Sequence, residues 1–127
     1  MTQKQETGKA GEKEAEEYLW GKSYTIIEKN YRQPWGELDI VARAPDRTLV
    51  FVEVKTLRND LTNKSSNGLI PEENLTQAKL RKLQRTASLY ANSHLELVSD
   101  KRGWRIDLLA VEWQEGQKPD IRHYENI

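Results

Sequence analysis

Between Gly36 and Thr56 the chain reads GELDIVARAPDRTLVFVEVKT, two runs of aliphatic and β-branched residues on either side of a turn that carries Pro45 and Asp46. The runs are strands by composition, yet Asp39, Glu53 and Lys55 sit inside them. A carboxylate or ammonium withdrawn from water is costly unless it is paired or metal-bound, so a fold for this chain has to give those charges a partner. Side chains alternate across a strand. Phe51, Glu53 and Lys55 therefore share one face, and Val52 and Val54 the other. On the preceding strand Leu38 and Ile40 are expected to point one way, and Glu37, Asp39 and Val41 the other. Burial of both aliphatic sides lets Asp39 face Glu53, and the register of the pair decides whether it does.

The rest of the chain supplies elements to pack on these strands. From Gly8 to Trp20 Glu, Lys and Ala dominate, with no proline or β-branched residue, which favours a helix ending at Gly21. Glu12, Ala15 and Leu19 fall on its inward stripe. Tyr24 to Arg32 reads as a strand, punctuated by Gln33, Pro34 and Gly36. The stretch from Leu57 to Asn74, rich in Asn, Ser and charge, reads as a mobile loop. Thr76 is placed to cap a second helix running to about Ser93, with Leu80, Leu83, Ala87 and Tyr90 on one side and Lys79, Lys82 and other bases opposite. LELV and WRIDLLAVEW then read as strands, with DIRHY as a short edge strand. This order predicts one α/β domain over 1–127, a central mixed β-sheet flanked by helices, with its core over about 8–113.

Composition excludes several classes. With 127 residues the chain is long enough to bury a core without staples, and it has no cysteine for disulfides or thiolate metal sites. No apolar run reaches bilayer length, the N-terminus is polar and acidic, and a cytoplasmic protein with no membrane partner is expected. The formal net charge is zero, but bases crowd Lys79 to Arg85. That run suits either a solvated helix face or contact with phosphates.

Asp39 and Glu53 held together would repel, and a hard divalent cation between them would make the arrangement favourable. Mg²⁺, with Mn²⁺ as a substitute, accepts such oxygen ligands, and Lys55 beside it would orient a water or neutralise charge growing on a phosphate. Glu12 would add a third acid through a bound water. The same residues on a solvated strand face would make a cross-strand salt bridge worth about 0.2–1 kcal/mol, and an acid at the position of Glu12 also suits a helix N-terminal dipole. Glu37 reads as support for the turn. His94 and His123 lack metal-ligand spacing and read as structural or surface residues, and Asp107 reads as a buried, hydrogen-bonded acid.

Asp39 followed by Glu53-Val54-Lys55 resembles the D…ExK core of the restriction-endonuclease-like, or PD-(D/E)xK, nuclease superfamily. GKAGEKEAEEYL, EKNYR, GELDIVA, FVEVKT, LTQAKLRKLQRTASLY and RIDLLAV occur in the order and character of the YraN-like family of bacterial proteins, itself similar to archaeal Holliday-junction resolvases. The likeness runs from about Gly8 to Val111; Leu57 stands where relatives often carry a basic residue. The resemblance implies a restriction-endonuclease-like fold and a metal-dependent endonuclease acting on DNA, with branched or damaged DNA as candidate substrates. It implies Glu12, Asp39, Glu53 and Lys55 as catalytic, the Val54 carbonyl as a backbone metal ligand with Asp39 and Glu53, and Gln77 and Lys79 as contacts to the nucleic-acid backbone; Lys82 extends that basic face. A homodimer is implied as well. The alternatives are a non-catalytic nucleic-acid-binding module and a protein-interaction domain.

Overall fold

Helix α1, Gln3–Gly21, buries Ala15 and Leu19 completely, as the inward stripe predicts. They pack against Ile40, Ala42, Val50, Val52 and Leu109 on one face of a sheet. Helix α2, Gln77–Ser93, covers the other face with Leu83, Ala87, Tyr90 and Ala91 against Leu38, Val41, Leu49, Phe51 and Ile106. Thr76 caps α2, its hydroxyl accepting from the Lys79 N–H at 3.2 Å. In this computed structural model residues 3–59 and 75–127 are described.

The sheet comprises β1 (Thr25–Gln33), β2 (Gly36–Arg43), β3 (Leu49–Asn59), β4 (Trp104–Gln114) and β5 (Asp120–Tyr124), in that spatial order. Neighbours are antiparallel except β3 and β4, which run parallel and are joined through α2. A mixed five-stranded sheet with a helix on each face is the expected α/β architecture and is consistent with a restriction-endonuclease-like fold. No helix among the described residues is long and apolar enough to cross a membrane.

The structure departs from the sequence reading at three places. LELV is not a strand: Leu95–Leu97 form a 3₁₀ turn that carries the chain from α2 toward β4. The segment read as a loop from Leu57 begins as strand, since Leu57 to Asn59 pair with Glu112 to Gln114; residues 60–74 lie outside the described residues. Leu38 and Ile40, expected on one face, pack in opposite layers. Alternation along β2 breaks at Asp39, between the two. Asn30 takes a left-handed φ of 54° within β1, opposite the position of Asp39 between the Lys29–Ile40 and Tyr31–Leu38 pairs. Asn tolerates that conformation better than most residues.

Two glycines set the helices close to the sheet. A Cβ at Gly11 would strike the Thr56 hydroxyl, and one at Gly36 would strike that of Thr86. Gly11 thus seats α1 on β3 beside Glu12, and Gly36 seats the β1–β2 hairpin on α2. Thr86 is fully buried and its hydroxyl bonds the Lys82 carbonyl at 2.9 Å, so it has little room to yield. We expect Gly36→Ala to cost about 1–3 kcal/mol by overpacking, and Thr86→Ala in the same chain to recover much of it. Urea denaturation of the two single variants and the double variant measures the coupling; additive losses would refute the close approach.

Candidate active site

Backbone pairing of β2 with β3 stops at Ile40 and Val52, while β3 stays paired to β4 through Asn59. The strands open there, and Asp39 occupies the opening. Its carboxylate accepts the Val54 N–H at 2.8 Å, satisfying a donor that the ladder no longer reaches. The carboxyls of Asp39 and Glu53 are therefore brought close enough to act on one another, and Lys55 Nζ lies 3.8 Å from Glu53 Oε2. This is the juxtaposition that the sequence made conditional on register.

The groups lie in a cavity of about 560 Å³. Asp39, Glu53, Val54 and Lys55 form one side, and Lys79, Lys82, Leu83 and Thr86 come from α2. Gln33, Pro34, Gly36 and Glu37 complete the wall from the hairpin. Of the helix residues singled out in the sequence, Lys79 and Lys82 face this cavity; Gln77 sits exposed in the first turn of α2 and does not line it. Glu37, read as turn support, is part of the wall.

Electrostatics follow from this crowding. Burial, then the contact with and charge of Asp39, push the Glu53 carboxyl from 4.5 up to about 8, against the opposing pull of Lys55. Glu12, on α1, is raised by burial and next by the Asp39 charge; the Arg32 guanidinium and an Asn30 side-chain hydrogen bond act the other way. Glu12 therefore belongs electrostatically to the acid group without lining the cavity. Asn30 and Arg32 were not identified from sequence. They alternate along β1 and meet Glu12 through the packing of α1 on β1, which is not written in their own residue types.

A strongly raised acid has a signed consequence. Unfolded, Glu53 ionises near 4.5; folded, it holds its proton to about 8. Its contribution to stability is complete below 4.5 and is lost as pH rises through the folded value. In metal-free buffer we expect stability to decline between these limits. Glu53→Gln should flatten the decline and be more stable than wild type at pH 8 by about 1–3 kcal/mol, since each tenfold change in proton affinity between the folded and unfolded chains is worth ~1.4 kcal/mol. Urea midpoints from pH 5 to 9 in EDTA test it, and parallel curves for the two proteins would contradict the contact.

The donor set fits a hard divalent cation: it is all oxygen, it contains two carboxylates that repel in its absence, and it opens onto a polar cavity. A second group with metal-ligand chemistry, Asp107, His123 and Glu125, has donor atoms within 4.8 Å of one another. There the Asp107 carboxylate is already taken. Oδ1 accepts from Arg105 Nε at 2.9 Å and the Asn126 N–H at 3.0 Å, while Oδ2 lies 2.7 Å from His123 Nε2 and 3.3 Å from an Arg105 terminal nitrogen. His123 Nδ1 meets the Tyr18 hydroxyl at 3.2 Å, tying β5 to α1. Arg105 supplies the positive charge that a cation would bring, so this cluster reads as a structural clamp. The buried, hydrogen-bonded Asp107 and structural His123 expected from sequence are both present in it.

Residues 11–111 match the model of the uncharacterised protein family UPF0102. The chain is 38% identical over 120 residues to a UPF0102 protein of Mycobacterium ulcerans, covering 91% of this chain and 88% of the relative. It is 40% identical over 114 residues to one of Syntrophus aciditrophicus, covering 86% and 89%. With one of Chloroflexus aurantiacus it shares 39% identity over 122 residues, covering 96% and 92%. The matched span includes the hairpin, the opening between β2 and β3, and both lysines of α2. The chain therefore belongs to the uncharacterised protein family UPF0102, the YraN-like family.

Proposed function

We propose that the protein is a divalent-metal-dependent endonuclease that hydrolyses phosphodiester bonds of DNA, branched or damaged DNA included, in the cavity between β2, β3 and α2. One observation carries this reading: the Asp39–Glu53 carboxylate contact, with Glu53 raised to about 8, sits beside Lys55 and opposite Lys79 and Lys82 in the same cavity. Such a pair is unfavourable alone and becomes useful with a cation.

Asp39 and Glu53, with the Val54 carbonyl, would hold Mg²⁺ or Mn²⁺. When bound, the cation supplies charge neutralisation at the phosphate and a more acidic water. Lys55 orients the attacking water and neutralises charge gathering on the phosphate oxygens. Lys79 and Lys82 attract the flanking backbone phosphates. Glu12, held by Asn30 and facing Arg32, adjusts the charge at Asp39. Water attack on phosphorus breaks the bond to the leaving oxygen and yields a phosphate monoester and a free hydroxyl.

Calorimetric titration of Mg²⁺ and Mn²⁺ into wild type and an Asp39→Ala/Glu53→Ala variant, with circular dichroism confirming both folds, tests the metal site. Cleavage of branched, single-stranded and duplex DNA tests the reaction. Metal binding lost in the variant together with metal-dependent cleavage by wild type supports the proposal. Salt-sensitive DNA binding without cleavage would replace it by a non-catalytic binding module.

A further inference from the structure

Trp35 is an exposed indole that nothing in the core requires. It is 44% exposed, and with Pro34 it forms the two-residue loop of the β1–β2 hairpin closed by the Gln33–Gly36 pair. Its two chain neighbours, Pro34 and Gly36, both line the cavity that holds Asp39, Glu53 and Lys55. Consecutive Cα atoms lie about 3.8 Å apart, so the exposed indole is carried on the loop that borders that cavity.

The loop is held firmly. Pro34 restricts its own φ, and Gly36 is pressed so closely against Thr86 of α2 that a Cβ does not fit. A large aromatic on a rigid support loses little entropy on binding, whereas one on a loose loop would lose more. Trp104, by comparison, spends its ring edge-on against Phe51, with centroids 5.5 Å apart. Trp20 is exposed at the end of α1, but it adjoins no residue of this cavity.

We propose that Trp35 is a stacking platform for an unpaired base, and that the site takes nucleic acid in which a base is out of the helical stack beside the phosphate in the cavity. The assignment of nucleic acid rests on the proposed function; the demand for an unpaired base goes beyond it. Charge and shape both favour this occupant. Lys79 and Lys82 on one wall suit phosphates, and an exposed π-face on the bordering loop suits a base. In a continuous duplex the faces of the bases are covered by their neighbours, so an indole on that loop gains a partner only where the stack is interrupted.

The test is fluorescence anisotropy in EDTA, where cleavage is suppressed, with three labelled DNAs: a fully paired duplex, the same duplex with a one-nucleotide bulge, and the single strand. We expect wild type to prefer the bulged and single-stranded DNAs. Trp35→Ala should weaken both by about 5–150-fold, the equivalent of one stacked base, while changing duplex binding less than about twofold on the same scale. Trp35→Phe, which keeps an aromatic face, should retain most of the preference and confirms that loss in the alanine variant is not misfolding. Equal weakening on all three DNAs, or no weakening, overturns the proposal.

Cleavage in Mg²⁺ separates this inference from the reading beneath it. Wild type that cleaves but shows no Trp35-dependent preference leaves the nuclease standing and removes the stacking platform. A Trp35-dependent preference without cleavage does the reverse. Failure to bind any of the three overturns both.

Discussion

Asp39→Ala is expected to lower metal-dependent cleavage by about 10²–10⁴-fold, the scale of several kcal/mol of transition-state stabilisation supplied through a metal site. Asp39 has two functions in the structure, and the prediction has to separate them. Its carboxylate accepts the Val54 N–H at 2.8 Å where β2 and β3 part, and it presses on Glu53. Alanine removes the acceptor and leaves a half-buried N–H unsatisfied, a cost of about 1–3 kcal/mol to folding. It also relieves the carboxylate repulsion, so the net loss of stability should be smaller than loss of the acceptor alone would cause.

Asp39→Asn resolves the two effects. The amide oxygen still accepts from Val54, so the opening between the strands is kept, but one negative charge is gone. We expect a variant at least as stable as wild type at pH 8, with a Glu53 carboxyl that ionises below about 8 because the neighbouring charge is removed. Its metal affinity and cleavage should fall nearly as far as in the alanine variant. Titration calorimetry, urea midpoints and a cleavage assay on the same preparations are sufficient. An Asn variant with wild-type cleavage would show that Asp39 serves the strand opening alone, and the metal centre would then have to be abandoned.

The parts of this site that were legible in the sequence are those that depend on short-range periodicity. The D…ExK spacing placed Asp39, Glu53 and Lys55 on two adjacent strands, while helical spacing put Lys79 and Lys82 opposite the apolar stripe of α2, and the structure brings them to the cavity beside Leu83. Asn30 and Arg32 were missed because they meet Glu12 across separate elements, whereas Glu37 was placed on the Asp39 face but read as turn support, and it lines the cavity. A break in alternation at one residue moves Leu38 to the layer opposite Ile40, and no hydrophobic pattern announces it. LELV has strand-like composition, but three residues ending in a 3₁₀ turn complete a tight exit from α2, where local geometry overrides propensity. The pairing of Asp107 with His123 was equally hidden. The two are 16 positions apart, and they meet because the β4–β5 register sets His123 opposite Leu109, two residues along β4 from Asp107 and on the same face.

That clamp yields the largest expected effect on stability. Asp107 is fully buried in the apolar middle of β4, where an unpaired carboxylate would be untenable. Burial alone would raise its pKa, but hydrogen bonds from His123, Arg105 and the Asn126 N–H, together with the Arg105 charge, hold it below the usual carboxylate range. Asp107→Ala leaves the Arg105 guanidinium, whose side chain is only 18% exposed, with the Tyr24 hydroxyl and Glu125 alone, and it removes the partner that orients His123 toward Tyr18 of α1. Breaking one partner of such a buried network costs about 3–5 kcal/mol, which is a large share of the stability of a domain of this size. The sign of its pH dependence is opposite to that of Glu53. A depressed carboxyl contributes above its unfolded value of 3.8, and the contribution is lost as pH falls through the folded value. Wild type should therefore lose stability on acidification below about 4 more steeply than Asp107→Asn, while Glu53 governs the decline from 4.5 to about 8. Urea denaturation at pH 7 measures the first effect and acid titration by circular dichroism the second. A cost below about 1 kcal/mol for Asp107→Ala would mean that water or rearranged side chains satisfy Arg105, and that β5 is held to α1 by apolar packing of Tyr18 and Ile121 instead.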